Sequence, residues 1–266
     1  MLVTLGRGMA PAQTYQADKT MSGLLPACVF DIDATQESSY PGTGQLLMNN
    51  MPSPADGSEQ SAYDFYLGTN SAATSTDPSF VGAAGDPDAC FSFNGGNVLT
   101  LASGNNTPYL NNLSKTSGGS LPVTMALAFR ATDETTSRSY MGGYVFSQPG
   151  VRLICLSTEQ IRLAQGDGIT TADTDGPILT PGNDYLVIFS LDAGGNWSSW
   201  INGAKNIGSI ILVSNTTDSG PFRLMHNAGN GARLYAASLF NIAFTDAQAT
   251  TLRGLYQTRH QRSYGA

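Results

Sequence analysis

The sequence predicts an all-β protein: an antiparallel jelly-roll β-sandwich with one short C-terminal helix and an extended N-terminal arm. Three observations predict it. Charged residues make up 12% of the 266 positions and hydrophobic ones 41%. Exposed helices need Glu, Lys and Arg on their wet faces, so polarity carried by Gly, Ser, Thr and Asn is the usage of strands joined by turns. Short segments alternate apolar and polar residues with period two, divided by Gly, Asn and Ser turns. A helix-start signature stands near the C-terminus.

The elements follow in order. Residues 1–24 have little hydrophobic period and include Gly6, Gly8, Pro11 and Gly23, the mark of an arm. The domain spans 25–266, and residues 25–33 read as its first strand. Residues 37–88, rich in Ser, Gly, Pro, Asp, Asn and Ala, read as a long irregular insertion, of the kind that is functional or docks on something. Residues 90–93, the turn Asn94-Gly95-Gly96 and residues 98–101 form the next unit. Val123, Met125, Leu127 and Phe129 alternate with Thr124, Ala126, Ala128 and Arg130, a half-buried strand. Segments 144–146, 151–156 and 160–164 follow. Residues 185–191 are a continuous apolar run, a strand buried on both faces. After the turn 192–196 comes 197–201, and Asn202-Gly203 is a hairpin turn, because both central residues need positive φ. Residues 222–226 and 233–244, joined by turn 227–231, read as the last hairpin, with Leu234, Ala236, Ser238, Phe240, Ile242 and Phe244 on one face. Thr245-Asp-Ala-Gln248 matches a capping box, and Ala249, Leu252 and Tyr256 recur at helical spacing. Arg253, Arg259 and Arg262 make the tail locally basic. No repeat of fixed period occurs.

Charge and cysteines bound the function. The net charge of −7 supplies no basic footprint for phosphate backbones, so no nucleic-acid partner is expected. No stretch approaches the roughly 20 apolar residues of a membrane span. The N-terminus lacks the charged start and apolar run of a secretory signal. Three cysteines cannot all pair, and Cys28, Cys90 and Cys155 have apolar neighbours, so they read as buried free thiols of a chain made in a reducing cytosol. Two histidines, His226 and His260, argue against a His-rich metal centre, and no Ser/His/Asp arrangement or phosphate loop is recognisable.

The ordered series of strands resembles the concanavalin A-like sandwich, and within it the laminin-G-like (LamG) domains, from about Ala27 to Tyr256. Phe91-Ser-Phe-Asn-Gly-Gly-Asn-Val-Leu-Thr-Leu101 is similar to the family's early "F-x-G…L" strand pair. Residues 122–129 resemble its "T-x-x-x-W/F" strand. Residues 185–192 and Trp200-Ile-Asn-Gly203 resemble its "D-G…l-Y-v-N-G" unit. Residues 234–248, ending at Leu255-Tyr256, resemble the closing strand and helix, with Ala236 or Ala237 in place of the usual Gly. The opening Phe30-Asp-Ile-Asp-Ala34, Ser38-Ser-Tyr-Pro-Gly42 and Gly44 resembles "l-D-A-x-x-x-S-y-p-G-x-G", typical of LamG-like proteins in tailed-phage structural genes.

Candidate chemistry is sparse. Asp31 and Asp33, with Glu37 beyond, partly match the E-x-D-x-(x)-E of sandwich glycosidases, in which two carboxylates on one strand face flank a glycosidic bond. The first Glu is replaced, the third acid falls outside the strand, and the pair reads as strand-end polar residues. Asp167, Asp173 and Asp175 form an oxygen-rich loop that could offer calcium a few of the six to eight oxygens it takes; no other cofactor is expected. Trp197, Trp200, Tyr140 and Tyr144 could stack on a sugar ring, although Trp197 and Trp200 are an odd number apart and face opposite ways on a regular strand.

The resemblance thus implies a non-enzymatic virion protein of a bacteriophage or phage-like particle: a decoration, spike or fibre component on head or tail, located in the virion. Leu2, Leu5, Met9 and Tyr15 of the arm would dock on capsid or tail proteins. A homo-oligomer is expected, with a trimer the favoured symmetry, and a host surface glycan is a further partner. The alternative is a carbohydrate-binding adhesion module, and beyond it a sandwich glycosidase.

Overall fold

The computed structural model describes residues 23–113, 115, 121–143, 149–167, 169, 171–214 and 216–265. Two antiparallel sheets of eight strands each pack face to face. The first runs β14 (Ala204–Ser209), β13 (Asn196–Ile201), β12 (Asp184–Leu191), β7 (Val123–Arg130), β16 (Arg233–Phe240), β5 (Cys90–Ser92) and β4 (Ser79–Val81), and β1 (Cys28–Asp33) also pairs with β16. The second runs β11 (Thr171–Asp173), β10 (Ile161–Asp167), β9 (Pro149–Cys155), β8 (Arg138–Gly143), β15 (Phe222–His226), β6 (Leu99–Leu101), β3 (Phe65–Leu67) and β2 (Leu46–Leu47). The all-β sandwich expected from composition and periodicity is the observed architecture.

The centre of the first sheet shows why these residues form strands. Val123, Met125, Leu127 and Phe129 of β7 and Val187, Phe189 and Leu191 of β12 point into the core between the sheets. Ala126, Ala128, Leu186 and Ile188 point the other way, under helix α2 (Asp246–His260). The helix therefore makes a third layer, and β7, expected to be half-buried, is covered on both faces. Thr245 and Gln248 form the capping box expected of them, and Ala249, Leu252, Leu255 and Tyr256 bury one face of α2 against the sheet. The Asn202-Gly203 hairpin also forms, with φ of +47° and +84°. The three cysteines are buried free thiols.

Other expectations change. The chain over 25–27 is a 3-10 turn, and Leu24 is already core, so at least the last arm residue belongs to the fold. The rest of the arm, residues 1–22 with Leu2, Leu5, Met9 and Tyr15, lies outside the described residues, as do residues 144–148. The 37–88 segment is no appended loop. It supplies β2, β3 and β4 and buries Tyr40, Leu47, Tyr63, Phe65 and Leu67 in the core. Neither β5–β6 nor β15–β16 is a hairpin; both turns carry the chain from one sheet to the other. A register shift between Leu234 and Ala236 sends Leu234 into the inter-sheet core while Ala236 and Phe240 face α2. A short helix not expected from the sequence, α1 (Pro108–Asn112), begins at Thr107, whose hydroxyl accepts from the Leu110 amide at 3.3 Å.

Candidate functional site

The carboxylates of β1 come first, because they carried the hydrolytic possibility. Phe30 and Ile32 enter the core, so period two turns Asp31 and Asp33 outward, under α2. Asp33 does end β1, but both carboxylates are fully buried. Arg259 Nη1 donates to Asp31 Oδ2 at 3.0 Å and to Asp33 Oδ2 at 3.3 Å. Asp31 Oδ1 also accepts from Ser238 Oγ at 2.6 Å and Tyr256 OH at 3.3 Å, and the Ser238 and Tyr256 hydroxyls are hydrogen-bonded to each other. Asp33 Oδ1 accepts from the Thr35 amide and hydroxyl at 2.9 and 2.7 Å. His260 Nε2 lies 3.3 Å from Asp33 Oδ2, and its Nδ1 2.7 Å from Tyr264 OH.

Burial alone would raise the Asp33 pKa, but His260, then Arg259 and Thr35, outweigh it and hold the carboxyl at about 2. The same two aspartates hold Arg259 charged against its own burial. Serine, histidine and aspartate do meet here, but not as a nucleophile and its base: Ser238 donates to Asp31, and His260 faces Asp33 and Tyr264. The network is a buried clasp between β1 and α2.

The oxygen-rich loop is also occupied from within. Arg162 on β10 donates to Asp173 Oδ2 at 3.0 Å and to Asp175 Oδ1 at 2.6 Å, while Asp167 Oδ1 accepts from the Ile169 amide at 2.8 Å. Of the three aspartates read as calcium ligands, Asp173 and Asp175 thus share one guanidinium, and Asp167 holds its own loop's backbone. Among the described residues, no three His, Cys, Asp or Glu side chains are grouped to hold a metal. His226 is kept neutral, its pKa pushed down to about 4 by burial and then by Arg223 and Arg138.

The aromatic platform does not assemble either. Tyr140 is core: its hydroxyl donates to Glu134 Oε1 at 2.6 Å and its ring lies 5.1 Å from that of Phe129. Trp197 packs inward beside Phe189 and over Gly208, where a Cβ would collide with the indole. Trp200 faces α2, 7% exposed, its Nε1 donating to Asp246 Oδ1 at 3.0 Å and its ring 5.5 Å below Lys205 Nζ. The opposite facing of the two tryptophans is as their spacing predicts; Tyr144 lies outside the described residues.

Beside Trp200 lies an open hollow. It has a volume of about 40 Å³ and is lined by Leu186, Ile188, Trp200, Gly203, Ala249, Thr250 and Arg253. The tight hairpin builds it, because Gly203 has no Cβ to collide with the Arg253 guanidinium, which lies against it. The three tail arginines have separate fates. Arg259 is in the clasp, and Arg262 bridges Asp184 and Asp88 at 2.7 Å each while stacking on Tyr235. Arg253, partly exposed, has no carboxylate partner among the described residues. The sequence signal was present in two pieces, the Asn202-Gly203 turn and an arginine about two turns into α2, but nothing local joined them.

No family profile and no curated protein matches this chain. Solved structures do. The sialidase of Trypanosoma rangeli in complex with the inhibitor DANA is similar over 90% of this chain and 34% of its own, with 12% identity and a TM-score of 0.54. The binding domain of Paraclostridial Mosquitocidal Protein 1 is similar over 88% and 53%, with 11% identity and a TM-score of 0.57. The binding domain of Botulinum Neurotoxin DC in complex with SialylT is similar over 88% and 52%, with 11% identity and a TM-score of 0.51. The chain thus spans a third to a half of the length of these proteins, and at such identities the likeness is one of fold.

Proposed function

We propose that this chain is a non-enzymatic binding and display module of a bacteriophage or phage-like particle, and that the ligand class it recognises is an acidic glycan. One observation carries the reading. The carboxylate clusters that could do chemistry are closed around arginines, whereas Arg253 is left facing an open, apolar-floored hollow. That hollow is far below the roughly 300–1,000 Å³ of small-molecule pockets. It is large enough for a carboxylate group on Arg253, with the Thr250 hydroxyl beside it, and leaves a sugar ring on the surface. A charge-assisted hydrogen bond of this kind gives orientation as well as affinity.

Two further points support the reading. The fold is shared with a toxin binding domain solved in complex with SialylT. The opening from Phe30 to Gly44, which resembles that of phage LamG-like proteins, is built into the molecule: Asp33 binds Thr35, the Ser39 hydroxyl donates to Met48 O at 2.7 Å, and Tyr40 packs on Phe80 and Phe91. In this reading the arm residues Leu2, Leu5, Met9 and Tyr15 make the attachment to capsid or tail proteins.

The test is a glycan array probed with the full chain and with Arg253→Ala. Binding is expected to concentrate on carboxylate-bearing glycans, with Arg253→Ala weakening it at least about tenfold, the size of one lost charge-assisted contact. Equal binding by both proteins, or turnover of any glycoside on the array, would overturn the reading. For the particle role, deletion of residues 1–22 should leave a cooperative melt and remove the protein from purified particles. Full occupancy by the truncated chain would refute it.

A further inference from the structure

We infer that β14 is the edge through which two copies of this chain join, antiparallel, across a twofold axis. The inference is independent of the glycan reading and rests on a contrast among the four ends of the two sheets. β4 and β11 are three residues long and β2 is two. Short edges of this kind are how sandwiches avoid pairing with other chains. β14 is six residues long and every one of them is exposed. Among the described residues no strand lies beyond it.

The usual protections are absent from it. Ala204-Lys-Asn-Ile-Gly-Ser209 contains no proline, and from 204 to 213 its single charge is Lys205. That ammonium is pulled back onto its own chain, 2.7 Å from Asp246 Oδ1 and over the Trp200 ring. The chain carries a net charge of −7, yet residues 204–213 contribute no acid to repel a second copy.

The same margin of the sandwich is apolar. Ile207 is 70% and Ile211 91% exposed. The Gln165 side chain of β10 holds the Val213 amide and carbonyl at 2.7 and 2.9 Å, and so lays the segment after β14 across to the second sheet. Four residues along from Gln165, Ile169 is 95% exposed, and Ile178, bridged to Gln160, is 69% exposed. Of the five exposed large hydrophobics among the described residues, only Val81 lies elsewhere.

The occupant that fits is a second copy. An unpaired strand presents alternating amides and carbonyls, and an identical strand running antiparallel meets both rows with the same surface on each partner. Centred on Ile207, the pairing sets Ile207 against itself, Asn206 against Gly208 and Lys205 against Ser209, with no like charges opposed. The first sheets of two copies then become one continuous sheet.

Sedimentation and light scattering of the full chain across the micromolar range should give twice 27.9 kDa. Ile207→Lys should return 27.9 kDa as a folded monomer with a single cooperative melt, because residue 207 lies on the exposed edge and outside the core. Ile207→Cys should form an intermolecular disulfide under mild oxidation, without background from the three buried native thiols. A wild-type monomer throughout the range, an oligomer that keeps its mass in Ile207→Lys, or no cross-linked dimer from Ile207→Cys would each overturn the inference.

Discussion

Arg259 and Arg162 each bridge two aspartates, yet their surroundings differ. Arg259 is 8% exposed over carboxylates with no exposure, whereas Arg162 is 24% exposed over carboxylates at 41% and 72%. The residue chemistry is the same; only the covering layer differs. α2 lies over the first set, and water over the second. Under α2 every lone pair of Asp31 and Asp33 has to find a protein donor, and Ser238, Tyr256, Thr35 and His260 supply them. At the surface the ions are already solvated, and their pairing adds little. The same pairing of one arginine with two aspartates therefore does two different jobs in this molecule. One holds the third layer to the sandwich, and the other trims a hairpin.

The contrast can be broken most directly by Arg259→Met. It leaves two buried carboxylates without their cation, which costs about 3–5 kcal/mol. Urea unfolding should show it, and a midpoint unchanged from wild type would mean the clasp is not electrostatic. Next comes pH. Asp33 falls from an ordinary 3.8 to about 2 in the folded chain, so the unfolded chain binds the extra proton in that interval. The stability it contributes, about 2 kcal/mol, is present above the unfolded pKa and is lost as pH falls from near 4 toward 2. Asp33→Asn should flatten the stability profile in that window, and two parallel profiles would contradict the assignment.

A smaller effect tests whether α2 depends on its own start as well as on the clasp. Thr245→Ala removes the capping box and should cost about 1 kcal/mol. The smallest is Arg162→Gln, expected within about 1 kcal/mol of wild type and shrinking further with salt. Should Arg162→Gln instead destabilise as much as Arg259→Met, burial would not be what separates the two clusters.

What the sequence determined by itself was local. The alternation in 123–130 and the apolar run in 185–191 are written in the spacing of neighbouring side chains, and the Asn202-Gly203 turn and the Thr245–Gln248 box satisfy their backbone within a few residues, so composition and spacing were enough to read them. Two sheets of short strands and a terminal helix follow from those pieces. What the tertiary structure decided depended on partners far along the chain. The turns at 94–96 and 227–231 have the chemistry of hairpins, but only the assembled sandwich determines that each crosses between sheets. The Leu234/Ala236 shift, which reverses a face, appears only when β16 pairs with β7. Asp31 read as a strand-end polar residue until Arg259, 228 residues later, arrived over it. Arg253 looked like part of a basic tail until Gly203 placed it in a hollow. The physical reason is common to all of them. A charge or a face has no fixed meaning in the chain; its energy depends on what excludes water from it, and in a sandwich that covering layer comes from the other end of the sequence.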